Sequence, residues 1–86
     1  MHYVIKIKKQ AKKKLDSLPR NIKAKLVDKI NDLGYDPDDP TLDIKRLVDE
    51  PYYRLRVGDW RIIFDRQDSL KIISIEKIKP RGDVYK

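Results

Sequence analysis

Apolar and polar side chains alternate with period two through the middle of this chain. Tyr53, Leu55 and Val57 alternate with Arg54 and Arg56; Trp60, Ile62 and Phe64 alternate with Arg61 and Ile63. Such alternation puts each set on one face of a strand. Gly58 and Asp59 separate the two runs. A two-residue loop with Gly first suits a type II′ turn, since Gly reaches positive φ without steric cost. The pattern therefore predicts a hairpin in which Val57 faces Trp60, Leu55 faces Ile62 and Tyr53 faces Phe64. Those pairs form one apolar face for a helix layer to cover. On the other face Arg56 falls opposite Arg61, and Arg54 opposite Ile63. Like charges directly opposite destabilise a strand pair. Two arginines there call either for a carboxylate between them or for an anion, which the planar guanidinium fork grips in pairs of oxygens.

The flanking pattern supplies the other elements. His2 to Lys8 reads as a first strand, with Tyr3, Ile5 and Ile7 on one side. Lys9 to Leu18 reads as a short helix with Ala11, Leu15 and Leu18 at helical spacing and Lys12, Lys13 and Lys14 on the other side. Pro19 suits the start of a second helix, with Ser17 a candidate cap, and Arg20 to Leu33 carries the stripe Ile22, Leu26, Val27, Ile30, Leu33. Gly34 is placed to stop that helix in a left-handed conformation. Two helices joined so tightly predict an αα-hairpin. Asp-Pro-Asp-Asp-Pro at 36–40 is turn chemistry. Leu42 to Val48 predicts a short edge strand carrying Lys45 and Arg46. Leu70 to Ile78, apolar on both faces, predicts a strand inside the sheet, ended by Pro80. The expected fold class is α+β, in the order β-α-α-β-β-β with an optional further strand: two helices on one face of a small, mainly antiparallel sheet, in a single domain over residues 1–86.

Composition narrows the chemistry. The 86 residues carry a formal net charge of +7, which favours nucleic acid or an acidic protein as partner. The charge is uneven: residues 1–30 are net basic, 31–50 net acidic and 51–86 net basic again. There is no cysteine, so disulfides and thiolate metal sites are excluded. Asp36, Asp38 and Asp39 lack the Gly and terminal Glu of a calcium loop. No metal or cofactor is expected. His2, beside a terminus, reads as an exposed side chain. No long apolar run or signal peptide is present, so a cytoplasmic protein without membrane contact is expected.

Two motifs carry a resemblance. Tyr53-Arg54-Leu55-Arg56-Val57-Gly58-Asp59-Trp60-Arg61 resembles the tyrosine-basic-apolar-basic hairpin of the RelE/ParE toxin superfamily. Arg81-Gly82-Asp83-Val84-Tyr85 resembles its C-terminal basic-acidic-valine-tyrosine ending. With the element order and length, the chain is similar to the RelE side of that superfamily. The resemblance implies the toxin of a type II toxin-antitoxin system, a ribosome-dependent endoribonuclease that cuts mRNA in the ribosomal A site by attack of a 2′-OH on the adjacent phosphate. It implies a RelB-like antitoxin as partner, with operator DNA met only through the antitoxin complex. By motif match, Arg61 would stabilise the transition state, Arg81 would serve the scissile phosphate or leaving oxygen, and Arg56 would hold phosphate. Tyr85 would stack on or orient a base. Arg54, Arg46 and Lys79 would bind RNA. Many relatives carry His where this chain has Pro80, so the resemblance assigns no general base. Two other readings share the fold: a ParE-like poison of DNA gyrase, and an inactive RNA- or antitoxin-binding module.

Overall fold

The computed structural model describes residues 2–82. Seven elements follow in order: β1 (Val4–Ile7), α1 (Lys9–Asp16), α2 (Arg20–Tyr35), β2 (Asp43–Arg46), β3 (Tyr53–Val57), β4 (Trp60–Gln67) and β5 (Ile72–Pro80). The strands form one sheet in the order β1-β5-β4-β3-β2. All neighbours are antiparallel except β1 and β5, which run parallel. The class and element order are those the pattern predicts, and the edge strand is real.

The hairpin takes the expected register. Val57 pairs with Trp60, Leu55 with Ile62, Tyr53 with Phe64, Arg56 with Arg61 and Arg54 with Ile63. Gly58 has φ +57°, and Asp59 keeps a negative φ, as a II′ turn requires. The apolar face meets the helices. Leu55, Val57, Ile62, Phe64, Ile73, Ile75 and Ile78 pack with Ala11 and Leu15 of α1 and Leu26, Ile30 and Leu33 of α2. Tyr53 stacks on Phe64 with ring centres 5.5 Å apart, extending that layer to its rim.

Two local expectations are corrected. Ser17 does not cap α2; its hydroxyl donates to the Lys14 carbonyl (2.6 Å) and closes α1 instead. Gly34 does not stop α2. It lies inside the helix, which runs on to Tyr35. Its missing side chain serves packing: a Cβ there would sit 2.9 Å from Cγ1 and Cδ1 of Ile5. The Tyr3 N–H donates to the Gly34 carbonyl (2.7 Å), so the entry to β1 is bonded to the last turn of α2.

The acidic stretch after α2 has structural work. Asp36 and Asp39 accept the backbone N–H of Asp38 (3.0 Å) and Thr41 (2.9 Å) through side-chain oxygens, closing Asx turns. Asp38 takes both Nη atoms of Arg66 at 2.8 and 3.0 Å, and Asp68 takes its Nε at 2.6 Å. Tyr3 donates its hydroxyl to Asp68 at 2.9 Å. Arg66 thus ties the 36–42 segment to the β4–β5 turn and the start of β1. These bonds hold the carboxyls of Asp38 and Asp68 below the usual range. At the α1–α2 junction Asp16 bridges Lys12 (2.9 Å) and Lys23 (2.8 Å), whose hydrogen bonds lower its pKa from 3.8 to about 2.

Candidate functional site

Strand pleating sends Arg54, Arg56, Arg61 and Ile63 to the sheet face away from the helices. Register extends this face sideways. Arg56 pairs with Asp43 on β2, and Arg61 with Lys79 on β5, giving a row Asp43, Arg56, Arg61, Lys79. The next row is Lys45, Arg54, Ile63, Lys77. Six of the eight positions are cationic and one is a carboxylate.

The face is not simply solvated. Arg61 is 4% exposed and Arg54 8%, whereas the Arg56 side chain is half exposed. Asp43 stands 3.9 Å from both Arg54 and Arg56, one carboxylate shared by two guanidiniums at the limit of an ion pair. Arg61 forms no ion pair among the described residues. Its Nη1 donates to the carbonyls of Gly58 (2.9 Å) and Trp60 (3.0 Å), which aims the group along the hairpin turn. Its Nε is buried without a hydrogen-bond partner. A buried cation with an unused donor is costly unless an anion completes it.

The same turn anchors the start of the tail. The Arg81 N–H donates to the Asp59 carbonyl at 2.7 Å. Gly58 therefore holds the Arg61 side chain and Asp59 holds the Arg81 backbone, which brings the beginning of the second motif to the end of the first. Beside them Leu47 and Glu50, from the segment joining β2 and β3, line a cleft of about 60 Å³ with Ile63, Lys77 and Lys79.

Of the expected site residues, Arg54, Arg56, Arg61 and Lys79 share this face, and Arg81 begins at its edge. Arg46 does not join them. It pairs with Tyr53 on the helix side of the sheet, with its guanidinium carbon 5.8 Å from the Tyr53 ring centre. Tyr85 lies outside the described residues. Lys45 and Lys77 join the face although neither belongs to a motif; strict alternation from Arg54 and Lys79 finds both once the register is known. His2 sets its ring against Tyr35 (centres 4.5 Å apart) near the opposite end of the sheet, too far along the strands to serve Arg61. Among the described residues no group of His, Cys, Asp and Glu could hold a metal ion, and no helix is long and apolar enough to cross a membrane.

The arrangement suits an oxyanion with several oxygens. A buried guanidinium with a free donor, a second on the neighbouring strand and a lysine on the other side can surround a phosphate with positive charge that is already oriented.

Comparison with known proteins bears on the family and the fold. The family model described as ParE toxin of type II toxin-antitoxin system, parDE, matches residues 5–85. The archaeal RelE–RelB complex from Pyrococcus horikoshii contains a chain 36% identical to this one, with a TM-score of 0.82 over 95% of this chain and 98% of that one. The RelB–RelE antitoxin-toxin complex from Methanococcus jannaschii gives 25% identity and a TM-score of 0.74 over 93% and 94% of the two chains. A mutant of E. coli toxin RelE in the free state, at 16% identity and a TM-score of 0.76 over 99% and 92%, shares the fold. No curated protein matches at the sequence level.

Proposed function

Because the chain belongs to the ParE toxin family of type II toxin-antitoxin systems, on the RelE side of the RelE/ParE superfamily, we propose that it is an endoribonuclease that cuts mRNA in the ribosomal A site and so stops translation. The observation that carries this reading is Arg61: buried, aimed by two carbonyls, without an ion pair among the described residues, and with an unused Nε. In the reaction the 2′-oxygen bonds to the adjacent phosphorus and the P–O5′ bond breaks. The products are a cyclic phosphate and a 5′-OH, and the proton lost by the 2′-OH is balanced by the one the 5′-oxygen gains. Arg61 stabilises the charge that grows on the phosphoryl oxygens. Arg56, Arg54 and Lys79 hold the flanking phosphates, and Arg81 serves the scissile phosphate or leaving oxygen. Arginine is a poor base at ordinary pH, so these residues act by position and charge rather than by proton removal.

The partner in this reading is an antitoxin of the RelB kind, such as accompanies the archaeal relatives. An acidic and apolar segment would cover the arginine face or displace the tail that starts at Arg81.

The test is cleavage of a defined mRNA on programmed ribosomes, with ends mapped by primer extension and free mRNA as control. A-site cuts that need the ribosome and weaken strongly in Arg61→Ala support the endonuclease. No cuts from folded protein, with gyrase captured and DNA damage induced, would establish the ParE-like action instead.

A further inference from the structure

The basic side of α1 takes no part in the face described above, yet it borders a groove of its own. The groove, about 370 Å³, runs between α1 and the second half of β5 and is lined by Gln10, Lys14, Lys77, Ile78, Lys79 and Pro80. It exists because β5 outruns β1. Pairing with β1 ends at Ile7 and Ile75, so the outer edge of β5 faces α1 from Glu76 onward. The Gln10 side-chain amide donates to the Glu76 carbonyl at 3.1 Å and fixes the helix over that edge. Lys14 is steadied as well, its Nζ 5.8 Å from the centre of the Trp60 ring.

The charges here are unspent. Lys12 and Lys23 both use Asp16, but among the described residues Lys14, Lys77 and Lys79 form no ion pair. Lys14 on the α1 wall and Lys77 and Lys79 on the β5 wall put positive charge on both sides of the groove, which raises the local potential that an anionic chain relieves. Lys79 lines the groove and also neighbours Arg61 across the β4–β5 pair, so groove and arginine face are continuous.

We propose that this groove is a second binding site for the phosphodiester backbone of RNA, taking the strand that flanks the phosphate held at Arg61. The inference rests on the endonuclease reading for the identity of that phosphate. Lysines suit the task because a point charge on a flexible stem follows a backbone without reading sequence. Three cations around one groove suit the repeated charges of a phosphodiester chain better than the single charge of one carboxylate.

The test is fluorescence anisotropy of labelled oligouridylates of about 4 and about 12 nucleotides, chosen to fall short of and to span both sites. Lys14→Gln and Lys77→Gln are compared with the parent protein across a salt series; both lysines are exposed, and unchanged melting confirms that the variants fold. Lys14→Gln weakens the longer oligonucleotide by several-fold and leaves the shorter one unchanged. Lys77→Gln, which also alters the arginine face, weakens the longer one at least as much. Each lowers the slope of log K against log salt by about 0.7 for each phosphate no longer neutralised. A parallel arm uses ribosomes without mRNA. Loss of ribosome binding with oligouridylate binding intact keeps the groove as a phosphodiester site and assigns the RNA to the ribosome. Parent-like affinity and salt slope for both RNAs in both variants overturns the proposal, as does polyglutamate bound through Lys14 when RNA is not. The readout requires no cleavage. A parent that never cuts on ribosomes therefore defeats the endonuclease reading separately from the groove.

Discussion

Arg56 and Arg61 face each other across the β3–β4 hairpin, one half exposed and paired at long range with Asp43, the other buried and without a carboxylate among the described residues. The inequality predicts unequal roles. Arg61→Ala should lower the rate of mRNA cutting on ribosomes by about 10²–10³-fold, the usual cost of one oriented donor at a developing charge. Arg56→Ala, which removes a half-solvated group, should cost about tenfold. Single-turnover cleavage of a defined mRNA measures both. Equal losses would contradict the assignment.

Stability should move the other way at the same residue. A buried guanidinium without a paired carboxylate is costly to keep, and removing it offsets the two hydrogen bonds it gives to Gly58 and Trp60. Arg61→Met is expected to melt no lower than the parent while losing activity. A clear drop in melting temperature would mean that Arg61 is held for the fold and not for an anion.

Acid should loosen the molecule at defined carboxylates. Asp16 has its pKa lowered from 3.8 to about 2 by its hydrogen bonds to Lys12 and Lys23, and Asp38 and Asp68 are lowered chiefly by those to Arg66. A depressed folded-state pKa gives stability that is complete above the unfolded value and disappears as pH falls through the folded one. Melting temperature should therefore fall between about pH 4 and about pH 2 in the parent, near the values for Asp16. Asp16→Asn should flatten that limb. Arg66→Ala, which releases Asp38, Asp68 and the segments they hold, should lower melting by several degrees at neutral pH and also shrink its acid dependence.

Gly34 offers a test that separates packing from helix propensity. Alanine improves an exposed helix interior by about 1 kcal/mol. Here its Cβ would meet Ile5 at 2.9 Å, and overpacking of this kind costs about 1–3 kcal/mol. Gly34→Ala should destabilise the parent and be tolerated better in an Ile5→Ala background. A urea-denaturation double-mutant cycle with no coupling would place the reason for glycine elsewhere.

What is legible in the sequence is local. The hairpin register follows from alternation around Gly58-Asp59, since a two-residue loop fixes which side chains meet. The face shared by Arg54, Arg56 and Arg61 follows from that register. Its depth does not: alternation says which side of a sheet a residue takes, not what tertiary packing does to its exposure. Arg46 departs from its expected place for a related reason, because the pairing of β2 that turns it toward Tyr53 depends on a connection whose length fixes no register. Gly34 has the look of a stop because glycine often ends helices, and the approach of Ile5 from a distant strand leaves no mark near position 34.

The parallel pairing of β1 with β5 has a consequence in time. The fifth strand is inserted between the first and the fourth, with Val4 beside Ile72. A growing chain can close the β3–β4 hairpin and form both helices, but it cannot complete the sheet until β5 has emerged. Pairings so distant in sequence form late and slowly. Lys79 lies on β5, so the row that sets it beside Arg61 is completed only with that strand. Chain order thereby makes the full cationic face a late product of folding, later than the hairpin that carries most of its arginines.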